Sequence, residues 1–181
     1  TLTGGAASIR EHNKEYIEKL QDMAQSNSDK SFLNNLDFIL KLEGGYNNVK
    51  GDVPTNLGVT QRIYNIYRKE KGLPIQSVKN INLEEAVPIY YRYFWKPSKA
   101  DELQHPLDLV YFDMYVNSNP HDAKMVLSRS NNDVYTFIEN RRKFYSQIAK
   151  NKPEKKQFEK GWNNRLNILK KYVDDFYSNS Q

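Results

Sequence analysis

Apolar residues recur at every third or fourth position through most of this 181-residue chain, and this spacing limits its fold more than any other feature. It is the spacing of helices that bury one face. Residues 46–60 depart from it, because Asn, Gly, Asp, Pro and Thr dominate there and alternate loosely with Val and Leu. Such a stretch is typical of a small hairpin. The sequence therefore predicts a mainly α fold with one small β-hairpin or irregular β element near 46–60.

Residues with capping side chains or fixed backbone angles mark the expected helix starts. Ser31, Thr60 and Asn82 each precede a periodic segment and are predicted N-caps. Pro88 lies inside the segment after Asn82 and is expected to kink that helix. Pro106 precedes an unusually apolar segment, which we expect to be a buried helix.

Two longer amphipathic helices are predicted at the end of the chain, near 133–150 and 153–177. The apolar stripe of the last one consists of Phe158, Trp162, Leu166, Leu169, Val173 and Phe176.

Residues 1–30 differ from the rest of the chain. Ser8 and Glu11 form a capping box before an amphipathic segment, and the polar run at 26–30 then interrupts the apolar spacing. We expect an N-terminal amphipathic helix and linker that can be removed without unfolding the remainder. Residues 31–181 are long enough for one domain with a sizeable core.

The composition excludes several classes of function. The chain has no cysteine, and its three histidines lack metal-ligand spacing, so we expect neither a metal nor another cofactor. A net charge of +5 favours anionic partners, but no dense basic cluster indicates a nucleic-acid reader. No apolar run is long enough to insert stably into a membrane. No basic-then-apolar leader follows Thr1, which fits a mature or trimmed chain.

The segment LEGGYNNVKGD, residues 42–52, carries the main chemical signal. Glu43 ends a helical segment just before two glycines, although the negative end of a helix disfavours a carboxylate. That helix end and partial burial beside a cleft would both favour the protonated carboxyl. A protonated carboxyl is what a general acid needs.

Polar and aromatic side chains follow Glu43 on the same loop. Tyr46 offers a face on which a sugar ring can stack, while Asp52, Thr55 and Thr60 can orient a water molecule. Asp52 after a glycine equally fits a plain turn residue. A pair of this kind, an acid with polar helpers, suffices to hydrolyse a glycosidic bond.

Several stretches, in the same order, resemble glycoside hydrolase family 108, the N-acetylmuramidases. Residues 32–60 are similar to the family's opening, in which a helix leads through Glu-Gly-Gly-Tyr to an Asp and a Thr-Asn-x-Gly-x-Thr turn. YYRYFW (90–95) and YFDMYVNSNP (111–120) are similar to two further family segments. Residues 141–166 resemble the family's C-terminal peptidoglycan-binding region.

This resemblance implies a lysozyme-like domain at 31–181, with a catalytic part at 31–120 and a peptidoglycan-binding part at 121–181. It implies a lysozyme-type glycosidase that cleaves peptidoglycan between N-acetylmuramic acid and N-acetylglucosamine, with Glu43 as the general acid. Such an enzyme acts on the cell wall, in the periplasm or outside the cell after export.

Further substrate contacts are expected from Trp95, Tyr111 and Asn117, in addition to Tyr46. Trp95 and Tyr111 suit the core equally well. Asp113 and Asn117 also fit buried, hydrogen-bonded polar positions on an apolar helix.

Two rival functions remain open. The first is a catalytically inactive peptidoglycan-binding or secretion-assisting module of the same fold, which the short loop at 52–55 favours and the retained Glu43 disfavours. The second is a helical nucleic-acid binder, but the sequence contains no known motif for nucleic-acid recognition. An active enzyme would suit phage lysis as an endolysin, wall remodelling beside a secretion machinery, or attack on a rival cell. The sequence makes no prediction of oligomeric state.

Overall fold

The computed structural model describes residues 2–24, 26–43 and 54–180. Over these residues the chain is mainly helical, with one two-stranded antiparallel sheet, so the predicted mainly α, lysozyme-like fold is confirmed. The helices are α1 (Leu2–Met23), α2 (Asn27–Leu42), α3 (Gln61–Glu70), α4 (Leu83–Tyr90), α5 (Lys96–Ser98), α6 (Leu107–Asn117), α7 (Pro120–Ser128), α8 (Val134–Asn151) and α9 (Glu159–Asn179). The strands are β1 (Thr55–Asn56) and β2 (Val59–Thr60). None of the helices in these ranges combines the length and apolarity needed to cross a membrane.

The chain forms two compact units, residues 1–97 and residues 98–181. Helix α6 lies in the second unit because it packs against α7 and α8. The catalytic part at 31–120 and the peptidoglycan-binding part at 121–181 stay predictions.

Within the first unit, α1 packs against α2 rather than being only tethered to it. Ile17 is 1% exposed, and the amide of Gln21 donates to Asn34 Oδ1 at 2.7 Å. The predicted start of α2 at Ser31 is wrong. Ser26 is the N-cap instead, because its hydroxyl accepts the N–H of Asp29 at 3.0 Å and so satisfies the first turn.

The predicted caps of α3 and α4 are confirmed. The hydroxyl of Thr60 accepts the N–H of Ile63, and the side chain of Asn82 accepts that of Glu85. Pro88 lies inside α4 as expected, and the helix passes into a π-helical turn at Tyr91–Trp95. A proline removes one backbone donor, and such wider turns are a common response to an interrupted helical ladder.

A partly buried polar network holds α3 to α4. The hydroxyl of Tyr64 donates to the carboxylate of Glu85 and accepts from Gln76 Nε2 at 2.6 Å. Arg68 pairs with the same carboxylate at 2.6 Å and donates to the carbonyl of Pro74 at 2.7 Å. These bonds fix the connection between the two helices onto α3.

In the second unit, α6 is the buried helix that the sequence predicts, with every residue from 107 to 115 in the interior. The stripe of the last helix is confirmed for Leu166, Leu169 and Val173, which are buried. Phe158 differs, because residues 153–158 form a 3₁₀ segment and leave this ring exposed.

The centre of the second unit contains an ion triad on three helices. Asp113 on α6 contacts Arg141 Nη2 at 2.7 Å and Arg165 Nη2 at 2.6 Å. Burial alone would raise the pKa of Asp113, but the two guanidinium groups hold it below its usual range. The predicted reading of Asp113 as a buried, hydrogen-bonded polar residue is confirmed.

We expect Ile17→Ala to lower the free energy of unfolding by about 2–5 kcal/mol, because it leaves a cavity between α1 and α2. Lys19→Ala, at an exposed position of the same helix, should change it by less than about 0.5 kcal/mol. Urea unfolding of both variants measures the difference. Equal stabilities would mean that α1 contributes nothing to the unit, as the sequence alone suggests.

Asp113→Asn should cost about 3–5 kcal/mol at neutral pH, because two arginines lose their buried partner. Since the folded-state pKa is lowered, the wild-type carboxylate stabilises fully above the unfolded-state pKa of about 3.9. That stabilisation is lost as the pH falls through the lower folded-state pKa.

Denaturant unfolding should be measured from pH 7 downward. The free energies of unfolding of the wild type and Asp113→Asn should become similar in acid. The control is Asp175→Asn, which removes an exposed ion pair with Lys171 and should change little. If the free energies of unfolding of the wild type and Asp113→Asn differ by the same amount over the whole pH range, this account is contradicted.

Candidate active site

Glu43 directly follows α2 and is held by the end of that helix. Its backbone is extended, with φ −79° and ψ 141°, and its N–H donates to the carbonyl of Ile39 at 3.0 Å. Leu36 and Ile39 are buried and anchor the last turns of α2 in the first unit. The carboxylate therefore starts from a fixed backbone position, and its side chain is half-buried.

The hairpin β1–β2 closes through a two-residue turn at Leu57 and Gly58. Both residues have positive φ angles, 51° and 75°, which is the backbone of a type I′ turn. Glycine adopts this conformation readily, but a leucine does so at a cost of about 1–2 kcal/mol. The hydroxyl of Tyr90 on α4 donates to the carbonyl of Leu57 at 2.7 Å. The turn is thus strained and held by a side chain from a helix.

Gly58 is the point at which the hairpin, α2 and α4 meet. A β-carbon at position 58 would lie 3.0 Å from Cγ and 3.1 Å from Cδ of Glu43. The same atom would overlap the hydroxyl of Tyr90. Real β-carbons do not make contacts this short without displacing a neighbour, so only glycine fits. The absent side chain lets Glu43 lie directly against the turn.

The predicted helpers Thr55 and Thr60 lie on this hairpin. They are cross-strand partners, and both are half-buried. The hydroxyl oxygen of Thr60 accepts the N–H of Ile63 at 3.3 Å, so it caps α3 and keeps its own proton to donate. Thr55 and Thr60 therefore lie on the hairpin whose turn Glu43 contacts.

The predicted residues Tyr46 and Asp52 lie outside the described residues, as do the two glycines after Glu43. Their roles stay predictions.

Trp95 and Tyr111, two of the aromatic residues predicted to contact the substrate, are core residues instead. Trp95 is 2% exposed and packs on Phe32 of α2, with ring centroids 5.7 Å apart. Tyr111 in the second unit is also 2% exposed, and its hydroxyl donates to the carbonyl of Ser98 at 3.3 Å. Burial, with a smaller effect of Tyr115, raises the pKa of Tyr111 to about 12. Neither ring can stack on a sugar from this position.

Asn117 has the opposite environment. It is the last residue of α6 and is exposed. The alternative prediction, that Asn117 is a buried, hydrogen-bonded residue, is therefore wrong. Its contact with the substrate stays a prediction.

Sequence reasoning missed Tyr90 and Gly58. Tyr90 is one of 13 tyrosines, and its spacing marks it only as a core residue. The Asn-Leu-Gly sequence is a turn signal, but it does not tell which helices pack against the turn.

We expect Gly58→Ala to destabilise the protein more than Gly72→Ala. Both glycines have positive φ, 75° and 67°, so both substitutions add the same kind of backbone strain. A β-carbon at Gly72 meets nothing within 4 Å, whereas one at Gly58 meets Glu43 and Tyr90. The backbone strain lowers the free energy of unfolding by about 1 kcal/mol in both variants. Any further loss in Gly58→Ala measures the steric contact. Equal losses in chemical unfolding would show that the turn has room for a side chain.

Comparison with known proteins bears on the family and on the fold. Residues 36–118 match the model of a family described as glycosyl hydrolase 108. The fold is similar to the structure of Brucella abortus SagA, with a TM-score of 0.65 and 20% sequence identity, over 81% of this chain and 95% of that chain. No curated protein matches this chain. The segment that holds Glu43, the hairpin and Tyr90 therefore matches the glycosyl hydrolase 108 family, as the sequence predicts.

Proposed function

We propose that this protein is a peptidoglycan hydrolase of the N-acetylmuramidase type, with Glu43 as the general acid. The observation that carries the proposal is the position of Glu43, fixed by the end of α2 and lying against the Leu57–Gly58 turn. It lies within the segment that matches a family of glycosidases. A peptidoglycan hydrolase of the lysozyme-like kind is the activity that this family and this fold support.

The proposed reaction cleaves the bond between N-acetylmuramic acid and N-acetylglucosamine. Glu43 donates a proton to the oxygen that leaves the anomeric carbon, and a water molecule adds to that carbon. Thr55 and Thr60 are proposed to hold this water together with Asp52. Thr60 retains a hydroxyl proton for this purpose, because its cap bond uses only an acceptor position.

Substrate contacts are proposed for Tyr46 and Asn117, whereas buried Trp95 and Tyr111 are better explained as core. Peptidoglycan carries carboxylates, and the net charge of +5 favours a polyanion.

The C-terminal part, 121–181, is proposed to bind the same polymer. Phe158 is exposed there, and Lys155 Nζ lies 5.6 Å from the centroid of its ring. An apolar face beside cationic side chains suits a sugar that bears acidic substituents. The proposed site of action is the cell wall, in the periplasm or outside the cell after export.

Glu43→Gln should fold normally and lower the rate of wall hydrolysis at least about 100-fold, the usual contribution of a general acid. The matched control is Glu102→Gln, at an exposed position, which should keep the wild-type rate. Turbidity loss of purified peptidoglycan measures both. Full activity of Glu43→Gln would refute the assignment. Tight wall binding without turnover in the wild type would instead identify an inactive binding module.

The product should carry a free reducing end on N-acetylmuramic acid, because the hairpin supplies hydroxyls that can hold a water molecule. A lytic transglycosylase would return the muramyl hydroxyl to its own anomeric carbon and release an anhydro sugar. Mass spectrometry of the digest separates the two by one water per cleavage. Predominantly anhydro products would mean that the enzyme cleaves peptidoglycan as a lytic transglycosylase and not as a hydrolase.

A further inference from the structure

We propose that Tyr90 is a positioning residue for Glu43, acting through the backbone of the Leu57–Gly58 turn. This inference rests on the proposed function, in which Glu43 is the general acid. Tyr90 begins the family-like segment YYRYFW, but neither the family match nor the sequence pattern assigns it a role.

Tyr90 has the contacts that this role requires. Its side chain is fully buried at the end of α4, and its ring packs against Phe94, with centroids 5.7 Å apart. Its hydroxyl donates to the carbonyl of Leu57 at 2.7 Å. The tyrosine is thus fixed at its ring and bonded at its tip.

The bond to Leu57 acts on a backbone that leucine does not favour. The φ of 51° at Leu57 is a left-handed conformation that persists only where surrounding contacts hold it. A buried hydrogen bond to the carbonyl of that residue supplies such a contact. Without it, the turn can relax to other conformations.

The position of the turn controls the position of the carboxyl group. Glu43 and the Tyr90 hydroxyl both approach the vacant β-carbon site of Gly58, so they lie against the same side of the turn. If the turn shifts, the surface that supports Cγ and Cδ of Glu43 shifts with it. Displacement of a reacting group by about 1 Å can cost up to about 100-fold in rate. The hydroxyl of Tyr90 therefore holds the acid in place without touching the substrate.

The first test is the kinetics of Tyr90→Phe, which keeps the ring and removes the hydroxyl. We expect kcat to fall about 10- to 100-fold while KM stays within about twofold, because binding contacts remain. The control is Tyr64→Phe, which removes another fully buried, hydrogen-bonded hydroxyl in the same unit. It should lower thermal stability and keep kcat. A wild-type kcat in Tyr90→Phe, or equal kcat losses in both variants, would overturn the proposal.

The second test is a double-mutant cycle with Glu43→Gln. If Tyr90 acts only through Glu43, then Tyr90→Phe should change the residual rate of Glu43→Gln by less than about twofold. A full additional loss would show a structural effect and refute positioning. An active Glu43→Gln would refute the proposed function itself, whereas an inactive Glu43→Gln with a fully active Tyr90→Phe would refute only the role of Tyr90.

The third test does not depend on activity. In Gly58→Ala the added methyl group overlaps the Tyr90 hydroxyl, so adding Tyr90→Phe should recover part of the lost thermal stability. Additive losses in the double variant would show that the two groups do not meet as described, and would overturn the proposal.

Discussion

Glu43 can lie against the hairpin turn only because position 58 has no β-carbon. This single absence brings together the end of α2, the turn of β1–β2 and the tip of a tyrosine from α4. The arrangement carries strain, since Leu57 adopts a left-handed backbone. Strain of this kind is common where a site needs one defined geometry. In the first unit, the rest of the packing serves to hold these three elements in register.

In the first unit, contacts outside the meeting point of Glu43, the turn and Tyr90 hold the surrounding helices in place. Tyr64, Glu85 and Arg68 link α3 to α4 by partly buried hydrogen bonds and an ion pair. Glu85 lies in the first turn of α4 and Tyr90 is the last residue of that helix, so this network holds the end of α4 that lies away from Tyr90. The cap of α3 at Thr60 fixes the other end of the hairpin. Rigid elements on both sides therefore position the turn.

The second unit contains a buried carboxylate, Asp113, at its centre. Its central helix, α6, is buried from residue 107 to 115 and carries Asp113 there, and a buried carboxylate is costly unless it is paired. Two arginines, from α8 and α9, pair with it. The triad joins three helices that are far apart in sequence. Its removal is expected to cost stability in this unit rather than to alter the chemistry proposed for Glu43.

Local signals in the sequence were sufficient for the helices and the hairpin. Capping side chains acted where they were expected at Thr60 and Asn82, because a cap is satisfied within one turn of chain. Ser31 was misjudged because Ser26, an equally good cap, stands one turn earlier. Phe158 fits the stripe of the last helix, but the 3₁₀ segment before α9 turns its ring outward.

The sequence by itself predicted the mainly helical fold and the family resemblance, because spacing, caps and a short motif are local properties, and it singled out Glu43 as the candidate acid. Only the tertiary structure decided which side chains accompany Glu43. Trp95 and Tyr111 resemble cleft aromatics in sequence, yet packing places them in the core. Tyr90 resembles a core tyrosine, yet its hydroxyl reaches a turn 33 residues earlier in the chain. An aromatic side chain suits a core or a cleft equally well, and only the packing of distant elements distinguishes the two.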